Sequence, residues 1–124
     1  MNIPKIPESE YRFCRIMWEH EPITATGMVK LCQEQLGWKR TTTYTVIKRL
    51  GERGVLKLEN GMVTSLVSKE EAEAIEIEDL VEKRFGGSLP AFVAAFTKHQ
   101  VISESDLDEM QRMIDRIRRG ESLW

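Results

Sequence analysis

Apolar residues recur at helical spacing in six stretches of this chain and switch to strand-like runs in one. In the first stretch Tyr11, Phe13, Cys14, Ile16, Met17 and Trp18 give a wide apolar face, as expected of a central core helix. Pro7 suits its first turn, Glu8 and Glu10 favour its N-terminal dipole, and Pro22 ends it near His20-Glu21. A second helix starts at Ile23-Thr24, with Thr24 as N-cap. Met28, Leu31, Cys32 and Leu36 form its stripe and Gly37 closes it. A third runs through the stretch between Trp38 and Leu56, with Thr43, Val46, Ile47 and Leu50 on one side, and stops at Arg53-Gly54. The period then changes. Val55–Leu58 and Met62–Val67 flank Glu59-Asn60-Gly61, and Asn-Gly between two β-rich runs predicts a hairpin with a type I′ turn.

From Ser68 the pattern is helical again. The run from Glu70 to Glu82 has seven acids and no base, with Ile77, Leu80 and Val81 as its stripe, and it stops at Gly86-Gly87. Leu89, Phe92, Val93 and Phe96 follow at i, i+3, i+4 and i+7. Ser103-x-x-Asp106 then caps a last helix, where Leu107, Met110, Ile114 and Ile117 step by three, four and three, with Met113 widening the stripe. Three helices and a hairpin, the second and third helices joined by a short glycine-containing turn, predict a winged helix-turn-helix. The expected fold is therefore mainly α with a small β-hairpin wing. A winged-helix DNA-binding domain would occupy residues 1–68 and a three-helix dimerisation domain 69–124. The later helices could fold back on the winged helix, but their narrow stripes are better explained if Leu80, Val81, Phe85, Leu89, Phe92, Val93, Phe96, Leu107, Met110, Ile114 and Ile117 meet a second copy across a two-fold axis.

The third helix carries the candidate chemistry. Its outer face presents Thr41, Thr45 and Lys48 at i, i+4 and i+7, with Thr42 and Arg49 beside them and Lys39 and Arg40 at or before its start. Three successive threonines are poor helix formers. Short hydroxyls with cations near a helix N-terminus suit phosphates and base edges in a major groove, the alternative being an ordinary amphipathic helix with a solvated face. Trp38 is expected to pack the turn before this helix, stacking on a base being the lesser reading.

Charge sharpens the picture. The net charge is −2 over 124 residues, yet residues 1–67 hold ten Lys/Arg against seven Asp/Glu, and residues 68–124 hold eight against thirteen. Between Lys39 and Lys57 there are six bases and one acid, so an acidic partner would meet the first half. The acidic helix would help keep its own region off DNA, or is simply a solvated face. Cys14 and Cys32 lie in apolar helical patterns and read as buried thiols; His20 and His99 are isolated. With no C-x-x-C or Cys/His cluster, neither zinc nor copper is expected, and no cofactor or catalytic group. No apolar leader and no run approaching eighteen apolar residues is present, which predicts a soluble cytoplasmic protein with no membrane partner.

As a whole the pattern resembles the penicillinase-repressor (BlaI/MecI) family of bacterial transcriptional repressors, from about Ile6 to Arg119. The resemblance is carried by Ile6, Glu10-Tyr11, Met17-Trp18 and Ile23, and most specifically by Trp38-x-x-x-Thr42-x-x-Thr45-x-x-x-Arg49-Leu50-x-x-x-Gly54-x-Leu56. Arg84-Phe85, Gly87-Ser88-Leu89 and Ser103…Leu107 match further on. It implies a homodimer that binds a palindromic operator in double-stranded DNA and blocks transcription. Thr42 and Thr45 would read the major groove, with Lys39, Arg40, Lys48 and Arg49 on or near the backbone. The chain departs from the family pattern in three places. Met62 and Leu66 stand where the wing carries a basic residue and an aromatic, so wing contacts do not carry over. Ala95-Phe96 stands where some members are cut between Asn and Phe by a sensor protease, so that induction does not carry over either and the inducer stays open. The paired Cys-x-Cys motifs of the copper-responsive branch are missing, which excludes copper sensing by that route. A winged-helix protein-interaction module without specific DNA binding is the alternative from another class, and an enzyme is a distant third.

Overall fold

The computed structural model describes residues 3–123, so the outer ends of both expected domains, at 1 and 124, lie outside the described residues. The elements in chain order are α1 (Glu8–His20), β1 (Ile23–Thr24), α2 (Ala25–Leu36), α3 (Arg40–Glu52), β2 (Leu56–Glu59), β3 (Met62–Ser65), α4 (Lys69–Phe85), α5 (Leu89–Thr97) and α6 (Glu104–Arg118). This is the expected mainly α fold with a small wing.

Two compact units are present, 1–80 and 81–124. They divide inside α4, later than the change in sequence character at Ser68. The reason lies in the first part of α4, where Ala72 in the opening turn is buried in the core of the first unit and Asp79, two turns further on, pairs with Lys5 at 2.7 Å. A reciprocal capping box starts that helix: the Ser68 N–H donates to Glu71 Oε1 and the Glu71 N–H to Ser68 Oγ, both at 3.0 Å.

The core of the first unit is built from the predicted stripes. Phe13, Cys14 and Met17 of α1, Met28 and Cys32 of α2, and Val46, Ile47 and Leu50 of α3 are buried together with Val55, Leu56, Val63 and Val67. Thr24 caps α2 by accepting from the Gly27 N–H at 3.0 Å. Gly37 takes the left-handed conformation that ends it (φ 69°). Trp38 does pack the turn: its ring stacks on Phe13, centroids 6.2 Å apart and planes within 10°. Asn60 and Gly61 both have positive φ (53° and 76°), which is the type I′ turn that matches strand twist.

Two local expectations change. Pro7 is the N-cap of α1 and stands just ahead of its first turn. Ile23-Thr24, expected to open the second helix, is a short strand that pairs antiparallel with β3, Ile23 opposite Val63 and Thr24 opposite Met62. The sheet therefore has three strands in the order β1-β3-β2. An N-cap residue is extended by nature, and Thr24 (φ −68°, ψ 153°) carries that extension back through Ile23 far enough to meet the wing.

In the second unit Ser88 and Ser103 cap α5 and α6, accepting from the Ala91 and Asp106 N–H groups at 3.1 Å each. Phe85 and Phe92 meet edge to face at 5.6 Å. No residue of α5 or α6 is buried. Among the described residues no helix is long and apolar enough to cross a membrane.

Candidate nucleic-acid interface

The candidate interface begins where α2 ends. Gly37 and Trp38 turn the chain so that α3 starts at Arg40, with Lys39 as its N-cap. No side chain caps this helix and its first turn contains no acid. Its N-terminal amides and the positive end of its dipole are left to attract an anion. Lys39, Arg40, Thr41 and Thr42 are all exposed around that end.

Further along, Thr45 and Lys48 are exposed while Thr43, Val46, Ile47 and Leu50 are buried, so the predicted two faces of α3 are the observed ones. Their chemistry differs residue by residue. The Thr45 hydroxyl donates to the Thr41 carbonyl at 2.9 Å. Its proton is used within the helix, which leaves its lone pairs and methyl group outward. The Arg40 guanidinium lies 5.6 Å from the centre of the Tyr44 ring, which steadies it over the helix start. Among the described residues, Lys39, Arg40 and Lys48 make no ion pair with an acid.

Arg49 is exposed on the same side, as expected, but it also has a partner on another helix. Its guanidinium sits 2.5 Å from Glu10 Oε1, and the Glu10 side chain is only 2% exposed against 46% for Arg49. The sequence pattern assigns Glu10 only a dipole-favouring role at the start of α1. The signal was available: Glu10, Phe13, Cys14 and Met17 fall at i, i+3, i+4 and i+7, which places the acid on the apolar stripe of α1. The second Glu10 oxygen is buried without a partner. Beside it, burial and the charge of Glu10 push the Cys14 thiol up to about 12.

Among the described residues Thr43 is the other buried polar group. It is fully buried, and its hydroxyl has no hydrogen-bond partner in good geometry. Burial pushes the Cys32 thiol up, and the nearby Thr43 hydroxyl opposes that rise.

The wing flanks α3 with an open cavity of about 610 Å³, lined in part by Tyr44, Lys48, Lys57, Leu58 and Leu66. Leu58 and Leu66 are half exposed, and Lys57 pairs with Glu59 at 3.3 Å. The wing thus offers apolar surface beside α3 where a basic strip was absent from the sequence.

The residues expected to dimerise remain largely uncovered. Leu80, Leu89, Phe96, Leu107, Ile114 and Ile117 are all exposed large apolar residues, while Val81, Phe85, Phe92, Val93 and Met110 are half-buried. Leu80 belongs to the first compact unit and the other ten to the second. Ala95-Phe96 lies within α5. Among the described residues no group of three or more His, Cys, Asp or Glu could hold a metal ion.

Fold and site together define a winged helix-turn-helix protein with an appended helical unit. Its sequence matches the penicillinase repressor family model over residues 6–116. The chain belongs to the penicillinase repressor family, a family of transcriptional repressors and not of enzymes. Among similar proteins, an uncharacterised 16.5 kDa protein of Latilactobacillus sakei, from the ptsI 3′ region, is 26% identical over 117 residues, covering 91% of this chain and 80% of that one. Among solved structures, the monomeric form of Bacillus licheniformis BlaI in complex with the blaP half-operator is 23% identical, with a TM-score of 0.49. That match covers 56% of this chain and 90% of the other.

Proposed function

We propose that this chain is a sequence-specific repressor that binds a palindromic operator as a homodimer, with α3 in the major groove. The observation that carries this reading is the outward face of α3. Thr41, Thr42, Thr45 and Lys48 stand exposed beyond an uncapped, acid-free N-terminus flanked by Lys39 and Arg40. Hydroxyl side chains reach base edges, and Thr45, its proton engaged on Thr41, is set to accept from a base amino group or to touch a thymine methyl. Lys39, Arg40 and Lys48 are free to meet phosphates. The exposed stripes of α5 and α6 support the two-fold partner, since apolar rows of that length are otherwise left in water. The sign of regulation comes from the family.

Selection of bound duplexes from a random DNA pool, followed by sequencing, tests this. Enrichment of an inverted repeat with half-sites about one helical turn apart is expected. An unenriched pool would remove the operator reading. It would favour a protein-interaction module, for which exposed Leu58 and Leu66 beside α3 provide the surface.

A further inference from the structure

The buried carboxylate of Glu10 has a consequence for the DNA-facing helix. Glu10 projects from α1 into the core of the first unit, and among the described residues its carboxylate has one polar partner, the Arg49 guanidinium arriving from α3. A carboxylate out of water depends on that partner. Arg49 cannot swing toward a phosphate without leaving Glu10 unpaired and buried. Lys48, next in the chain, is exposed as Arg49 is but carries no such obligation.

We infer that Glu10 is a positioning residue of the recognition helix: it holds Arg49 as a strut between α1 and α3 and withholds that positive charge from the DNA backbone. This rests on the nucleic-acid reading of α3. The protein then meets phosphates with Lys39, Arg40 and Lys48, and the charge of Arg49 is cancelled within the fold. Because phosphate contacts act on every sequence alike, removing one from the DNA-facing set lowers binding to random duplex without touching the base-reading threonines.

The test is the dependence of affinity on salt, measured for the full chain on the selected operator and on a random duplex. Each phosphate contact contributes about 0.9 to the slope of log K against log[salt]. Lys48→Ala is the reference and should flatten the slope by about 0.9 per protomer. Arg49→Met should leave it unchanged while lowering the melting temperature. Glu10→Gln, close in volume, should release the Arg49 charge and steepen the slope by about 0.9 per protomer. The double variant Glu10→Gln/Arg49→Met should lose that gain. A packing role alone would not steepen a salt slope. The inference is overturned if Arg49→Met flattens the slope as Lys48→Ala does, or if Glu10→Gln keeps the wild-type slope. Should Arg49→Met fail to fold, Glu10→Gln still decides. A wild-type chain with no salt-dependent duplex binding would instead remove the nucleic-acid reading itself, a separate and recognisable failure.

Discussion

Thr43 sits between Thr42 and Tyr44 on α3 but faces the opposite way, into the core. Its hydroxyl is fully buried and lacks a hydrogen-bond partner, with the Cys32 sulfur, a weak acceptor, nearby. Thr43→Val replaces that hydroxyl with a methyl of nearly the same volume, at similar helix propensity. An unpartnered buried hydroxyl costs about 1–3 kcal/mol in mutational data. The sulfur returns part of that, so the substitution should stabilise the first unit by about 1 kcal/mol. For a unit of this size the melting temperature should rise by about 4–8 °C. Urea unfolding should show a higher midpoint with an unchanged slope, because no new surface is exposed. Operator affinity should not move, since the outer threonines are untouched. A loss of about 1 kcal/mol or more would refute the reasoning and show that the hydroxyl makes a worthwhile bond to the Cys32 sulfur.

Three further outcomes are expected. Ile117→Glu should convert the protein to a monomer in sedimentation and weaken palindrome binding on the order of a hundredfold by loss of two-site engagement; a dimer that survives it would remove Ile117 from the interface. Thr45→Ala should relax discrimination at one position in each half-site by about 1–3 kcal/mol, and equal losses on operator and random duplex would end its assignment as a base reader. Cys14 should resist alkylation in the native protein at pH 8 and react on unfolding. Because its folded value is raised from 9.0 to about 12, its contribution to stability is full below pH 9 and is lost as pH rises from 9 toward 12; stability flat across that window would contradict the burial argument.

Much of the fold was legible because each signal was local. The 3.6-residue stripes, Thr24 and Ser103 as caps, Gly37 as terminator and Asn60-Gly61 as turn each act within a few residues. What the sequence concealed was contact between distant segments. Pairing of Ile23 with Val63 joins residues whose local patterns speak only of a helix start and a hairpin. The site divides the same way. The outward threonines and Lys48 follow from helical periodicity, but the fate of Arg49 is decided by a residue on another helix. Periodicity places a side chain on a face; it does not say what crosses from the neighbouring element to meet it.

The pairing of β1 with β3 has an effect on how the molecule breathes. The Ala25 N–H, at the start of α2, donates to the Gly61 carbonyl at the tip of the wing at 2.9 Å, and Ile23 and Thr24 complete the ladder. The hairpin is therefore no separate flap. Lifting it away also strips the first turn of α2 of its support, so the wing amides and those opening α2 should exchange with solvent as one cooperative unit. Whatever grips the wing from outside thereby slows the fraying of α2, the helix that leads into α3, and rigidity reaches α3 from behind.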